Sequence, residues 1–231
     1  MSTVGCHSRR GCHSRRAPRG RIKIVIFDCD GVMFDSREAN RQYYNDLLAH
    51  FGHPPMDADD LAYVHAHNVM DSVARVFRRF PEEINAAHAW RQQLDYTPYL
   101  SHMLLEPDLK DFLTYLKPDI LTAISTNRTT TMPRVLELFG LEPLFDKVVT
   151  ALDVACPKPH PEALHKILDS FGLQPGDAVY IGDSTVDQEH AAALAIPLIA
   201  FKNPALQADL HVSSFTEIMH SLFFNGHDPA P

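Results

Sequence analysis

Three apolar runs in this chain end in side chains able to do chemistry. "IKIVIF" (22–27) leads into Asp28 and Asp30, "DILTAIS" (119–125) into Thr126 and Asn127, and "AVYIG" (178–182) into Asp183, with Asp187 one helical turn further on. A fourth element, the turn "CPKPHPEA", places Lys158 between two prolines. Asp28, Asp30, Asp183 and Asp187 would repel one another if brought together without a cation. Mg²⁺ resolves that conflict, because it takes a few carboxylates while keeping waters and substrate phosphate oxygens. Carboxylates, Mg²⁺, a lysine and the Thr126 hydroxyl are the equipment of phosphoryl transfer. The cations neutralise the equatorial oxygens while a carboxylate attacks in line.

These groups can work together only if the elements before them share one sheet. From Arg21 onward, nearly continuous β-branched runs alternate with helix-period segments, which predicts βα units around a doubly wound parallel sheet of Rossmann-like α/β type. The strands are expected at 22–27, 119–125, 147–152, 178–182 and 197–201. Helices are expected at 108–116, 130–140, 161–172, 186–195 and about 214–223, with Gly140 and Gly172 as C-terminal caps. In an open parallel sheet, ligands bind beyond the carboxyl ends of the strands. Each polar group alone reads as a helix cap; three at strand ends, with a lysine, read as a crevice.

Residues 36–106 break the alternation. They show helical periodicity and no convincing strand, which predicts an inserted α-helical cap domain. The division is then a basic tail at 1–20, a core at 21–35 and 107–225, the cap at 36–106, and a tail at 226–231. Asp35 stands at the entry to the cap, where it organises the hinge or caps the helix beginning near Ser36.

The motifs together carry a resemblance. "DCDGVMFDS", "ISTNR", "KPHPEAL" and "GDSTVDQEHAAALAI" follow one another in the order and spacing of the haloacid dehalogenase (HAD) superfamily. The chain resembles its phosphoglycolate phosphatase/β-phosphoglucomutase-like branch over about 22–223. That resemblance implies Asp28 as nucleophile forming an aspartyl-phosphate, and Asp30 as the acid and then the base. It implies Thr126, the Asn127 backbone and Lys158 as the phosphate-binding groups. Mg²⁺ would sit on Asp28, the Asp30 carbonyl and Asp183, with Asp187 binding it through water or orienting Lys158.

The implied reaction is hydrolysis of a small phosphorylated metabolite by a Mg²⁺-dependent phosphatase. A phosphomutase of the β-phosphoglucomutase type shares the same core and is the first alternative. A non-catalytic binding module is the second, disfavoured because every matched position is filled. Asp30 argues against dehalogenation, which has no leaving alcohol to protonate. Imine-forming phosphonate cleavage needs a cap lysine, and no lysine lies between Lys23 and Lys110.

Composition narrows the partners. Residues 1–23 hold seven of the 21 Lys and Arg and none of the 29 acids, so the remainder carries −15, from 14 basic and 29 acidic residues. An acidic body argues against nucleic-acid binding, and no apolar run approaches the ~20 residues of a membrane span. Four scattered cysteines suit a reducing cytoplasm, and a monomer or weak homodimer is expected. The tandem "GCHSRR" repeat at 5–16 reads as a disordered extension without the Cys spacing of structural zinc. Cys29 is expected as a small core residue. His65 and His67 are expected at a solvated helix end, and Arg75, Arg78 and Arg79 on a polar helix face.

Overall fold

The computed structural model describes residues 22–221 and 223–224, so the GCHSRR repeat and the C-terminal tail lie outside the described residues. In chain order the elements are β1 (Ile24–Phe27), β2 (Phe34–Asp35), α1 (Arg37–His50), α2 (Ala58–Ala66), α3 (Val69–Val76), α4 (Ile84–Arg91) and α5 (Thr97–Leu100). There follow β3 (Leu104–Leu105), α6 (Leu109–Leu116), β4 (Leu121–Ser125), α7 (Met132–Phe139), β5 (Lys147–Val149) and α8 (Glu162–Phe171). The chain continues through β6 (Ala178–Gly182), α9 (Thr185–Ala192), β7 (Leu198–Phe201), β8 (Leu210–Val212) and α10 (Phe215–Met219).

Six strands form one parallel sheet in the order β5-β4-β1-β6-β7-β8. All four β1 side chains are buried, as a central strand covered on both faces requires. Val25 and Phe27 enter one apolar layer with Phe112, Phe201 and Phe215. Ile24 and Ile26 enter the other with Leu164, Ile167 and Tyr180. Helices α6 and α10 therefore cover one face and α8 and α9 the other, which is the doubly wound arrangement. From β1 the chain reaches β4 and β5 on one side and later β6, β7 and β8 on the other. The topological switch point thus falls beside Asp28, where ligands gather in such sheets.

Between β2 and β3 lies a helical cap. Helix α1 buries Ala39, Tyr43, Tyr44, Leu47 and Leu48, one stripe at helical spacing. Side chains of Asp57 and Asn68 cap α2 and α3 by accepting backbone N–H bonds. Buried Asp60 accepts from Arg75 at 2.9 Å and Arg78 at 2.9 Å, so these two arginines tie α3 to α2 rather than pointing at a ligand. Arg79 is exposed, in the turn after α3 rather than on a helix face.

Several elements depart from expectation, and β5 ends at Val149 rather than residue 152. A two-residue ribbon pairs Phe34–Asp35 antiparallel with Leu104–Leu105, so 36–106 is not free of strand. Two residues are too few to show any periodicity; only the return of the chain to the same place makes the pair. Strand β8 was also unforeseen, because "LHV" is an edge strand exposed at His211 and lacks the apolar run of its neighbours. Helix α10 ends at Met219, four residues short of expectation. Gly140 and Gly172 do close α7 and α8 with φ of 63° each.

Candidate active site

The ends of β1, β4 and β6 lie side by side, and each contributes the residue expected of it. Asp28 continues the β1–β6 ladder by donating its N–H to the Ile181 carbonyl at 2.9 Å. Thr126 donates its N–H to the Val149 carbonyl at 3.0 Å. Asp183 follows β6, and its backbone carbonyl accepts from Asn203 at 2.7 Å. Oxygens of Asp28, Asp183 and Asp187 all fall within 4.8 Å of one another.

Lys158 reaches into this group from the turn before α8. Its ammonium donates to Asp28 Oδ1 at 2.7 Å, to Asp187 Oδ1 at 2.7 Å and to the Tyr180 hydroxyl at 3.0 Å. Its side chain is only 3% exposed, so burial opposes the charge. The two carboxylates outweigh that and hold its pKa well above the ordinary lysine value. Asn127 fixes the lysine backbone from both sides. Its Oδ1 accepts from the Lys158 N–H at 3.1 Å, and its Nδ2 donates to the Lys158 carbonyl at 3.3 Å.

Asp187 is completely buried and fully partnered. One oxygen takes Lys158 and Tyr180; the other takes the Ser184 hydroxyl at 2.6 Å and the Ser184 N–H at 3.2 Å. Burial alone would raise its pKa, but Lys158 lowers it, so Asp187 is ionised. Asp28 behaves differently. Burial, then the nearby Asp187 charge, push its pKa up to about 7 despite Lys158. Burial and the charges of Asp187 and Asp28 also hold Asp183 well above the usual carboxylate range. Two carboxylates whose ionisation is opposed by burial and by neighbouring negative charge are what a divalent cation would relieve.

Gly31 supports the same reading. A Cβ there would lie 2.0 Å from Asp183 Oδ2, and φ is +82°. Only glycine lets the loop after β1 lie against the Asp183 carboxylate. The residues present therefore fit a divalent cation held by Asp28 and Asp183.

Asp30 takes its hydrogen-bond partners outside this cluster. Arg128 forks it, Nε to Oδ2 at 2.7 Å and Nη2 to Oδ1 at 2.7 Å, and the Ser36 hydroxyl adds a short hydrogen bond. Burial opposes ionisation, but the guanidinium prevails and lowers the Asp30 pKa. Arg128 lay in the quoted "ISTNR" and drew no role from sequence reasoning. Its position two residues after Thr126 was the available signal. Tyr180 and His190 were missed too, since both sit in segments that read as core. His190 Nε2 lies 2.9 Å from Ser125 Oγ and its Nδ1 3.4 Å from the Pro159 carbonyl. Burial lowers its pKa to about 3, so a neutral imidazole links the β4 end to the Lys158 turn.

The cap also corrects an expectation. His65 is not at a solvated helix end: its side chain is 9% exposed, and Nε2 lies 3.8 Å from Asp183 Oδ2. Asn40 lies 3.3 Å from its Nδ1, and burial lowers its pKa. Packing of α2 on α1 turns that helix end down onto the core. His67 stacks on Tyr63 and engages the Tyr63 carbonyl at 2.9 Å. Asp35 accepts the Arg37 N–H at 3.2 Å, at the entry to α1. Cys29 is fully buried, and burial raises its thiol pKa.

A cavity of about 380 Å³ lies between core and cap, with Asp28, Asp30, Thr126 and Lys158 on its floor. The family model "Haloacid dehalogenase-like hydrolase" matches residues 25–201, the span containing all of these groups. The chain belongs to the haloacid dehalogenase-like hydrolase family. A phosphoglycolate phosphatase of Aliivibrio fischeri is 30% identical over 184 residues, covering 74% of this chain and 80% of that protein. A HAD-superfamily hydrolase from Geobacter sulfurreducens superposes with a TM-score of 0.76 at 35% identity, covering 86% of this chain and 98% of that one. A β-phosphoglucomutase from Clostridium difficile shares the fold, with a TM-score of 0.71 at 20% identity over 89% and 98% of the two chains. The expectation of a HAD-type phosphatase with a Rossmann-like core and helical cap is borne out.

Proposed function

We propose that this HAD hydrolase is a Mg²⁺-dependent phosphatase that hydrolyses a small phosphorylated metabolite through an aspartyl-phosphate. The observation that carries the reading is Lys158, buried at the cavity floor and bridging Asp28 and Asp187 at 2.7 Å each. Asp28 attacks phosphorus with a carboxylate oxygen, and the bond to the alcohol oxygen breaks as Asp30 gives that oxygen a proton. Asp30 then takes a proton from water, whose oxygen attacks the phosphoaspartate. Inorganic phosphate leaves and the Asp28 carboxylate is restored.

Asp187 holds Lys158 in place, since none of its oxygens lacks a partner. Lys158, the Thr126 hydroxyl and the Asn127 backbone receive the transferring phosphoryl group. Mg²⁺ held by Asp28, Asp183 and the Asp30 carbonyl would supply further positive charge to the phosphoryl oxygens. Asp30 serves as an acid only when protonated, so Arg128 must part from it during the cycle. A substrate anion entering the cavity competes for that guanidinium. The helices between β2 and β3 act as the cap, a unit spanning 36–106, and close the cavity against bulk water.

Asp28→Asn tests the chemistry: Mg²⁺-dependent phosphate release from an aryl phosphate is expected to vanish, and retained turnover overturns the nucleophile. A metabolite panel scored for free phosphate and for isomerised product tests the reaction class. Phosphoglycolate belongs on that panel, on the strength of the named relatives. Isomerised product without free phosphate would move the assignment to a phosphomutase, and Mg²⁺ binding without any turnover to a binding module.

A further inference from the structure

The cations that line the cavity differ in what they are paired with. Lys158 is neutralised by Asp28 and Asp187, and Arg128 by Asp30. Arg91, at the end of α4, lines the same cavity from the cap side. Its Nε donates to the neutral acceptor His88 Nδ1 at 2.9 Å, and its Nη2 lies 3.4 Å from Met70 Sδ. Among the described residues no carboxylate stands within ion-pair distance of it. A guanidinium offers five donors in a planar fork, and the partners of Arg91 named here are neutral.

The surrounding wall favours an anion. No Asp or Glu of the cap lines the cavity; its polar cap-side groups are Asn40, Tyr43, Tyr44, His65, His67, Arg91, Gln92 and Tyr96, as neutral or cationic donors and amphipathic rings. Tyr43 packs edge-on against Tyr96 at 5.2 Å, and its hydroxyl faces Arg91. The reactive floor carries the carboxylates, while the cap wall carries a cation with no carboxylate partner among the described residues. About 380 Å³ lies near the lower end of ligand-site volumes and suits a small ester, and one cavity is lined by both the floor groups and Arg91.

We infer that Arg91 is a specificity-determining residue that receives a second anionic group, carboxylate or phosphate, at the end of the substrate remote from the reacting phosphoryl group. The inference rests on the phosphatase reading and adds the substrate class: small phosphate esters that carry a further anion. Forked pairing with a guanidinium suits both anions, and such a contact both binds and orients the ester.

The test compares three esters with the same two-carbon frame: 2-phosphoglycolate, ethane-1,2-diol bisphosphate and 2-hydroxyethyl phosphate, each with Mg²⁺. We expect the natural protein to prefer at least one of the first two over the third by about tenfold or more in kcat/KM, and the better of the two tells carboxylate from phosphate. Arg91→Met should bring that ratio close to one, mainly through KM, and Arg91→Lys should restore part of it. No preference in the natural protein, or a preference that survives Arg91→Met, overturns the assignment. Calorimetric titration of Asp28→Asn protein, with and without Arg91→Met, separates this from the reaction itself. If no ester is turned over yet Asp28→Asn binds the doubly anionic esters through Arg91, the phosphatase reading falls and the anion site stands. Turnover without discrimination has the opposite consequence.

Discussion

The floor and the cap wall of the cavity are built on opposite principles. On the floor, Lys158 and Asp187 are buried, Asp30 and Arg128 are half-buried, and each is held by charged partners at 2.7 Å. On the wall, Arg91 meets an imidazole and a thioether, and His65 approaches a carboxylate only to 3.8 Å. Buried charges in a dry site must be matched, because an unmatched one costs several kcal/mol. A group whose partner arrives with the substrate can be left open. The contrast assigns chemistry to the floor and selection to the wall.

The largest expected effect strikes the floor. Asp28→Asn should lower Mg²⁺-dependent hydrolysis of an aryl phosphate by about 10⁴-fold or more, measured as phosphate release, because the attacking oxygen pair is lost. Asp30→Asn should cost about 10²–10⁴-fold, the usual worth of a proton-transfer group, measured with an ester whose leaving alcohol is a poor one. An activated aryl ester should suffer much less, since its leaving group needs no proton. Equal losses on both esters would break the distinction between the two aspartates.

Lys158→Met addresses stability as well as rate. It strands Asp28 and Asp187 without their buried cation, and denaturant unfolding should show a loss of about 3–5 kcal/mol. The pH dependence of the metal-free protein is a further check. Burial and the Asp187 charge raise the Asp28 pKa to about 7 in the folded protein, against 3.8 ordinarily, and Asp183 is raised in the same sense. The folded state therefore binds more protons than the unfolded one between these values, and stability must fall as pH rises through that window. Melting temperature in EDTA should drop between pH 5 and pH 8, and added Mg²⁺ should flatten the drop. Asp30 and Asp187 have lowered pKa values, so their contributions are lost only at more acidic pH.

The smallest effect belongs to the wall. His65→Ala is expected to change kcat/KM a few-fold and leave unfolding midpoints nearly unaltered, because its polar contacts are long. A loss as large as that of Asp30→Asn would place His65 on the floor and erase the contrast.

What could be read from the chain depended on how local the cause was. Strand β6 was legible to the residue, because a centrally placed parallel strand must be apolar throughout. Asp28, Thr126 and Asp183 were legible because each directly follows such a run. The roles of Arg128, His190 and Tyr180 were not legible, since each depends on a partner far away in sequence. Arg128 meets Asp30 98 residues away, and His190 meets Ser125 65 residues away. Arg75 and Arg78 were read as a polar face, but the structure places both on Asp60.

By itself, the sequence determined the α/β class, the helical insertion and the set of carboxylates, lysine and hydroxyl at strand ends. Those follow from residue type and periodicity, which act over a few neighbours. Tertiary structure alone decided that Lys158 binds Asp187 and Asp28 together, that Arg128 occupies Asp30, and that Arg91 meets no carboxylate among the described residues. Charge pairing is set by distances through space, and the order of residues along a chain does not encode those distances directly.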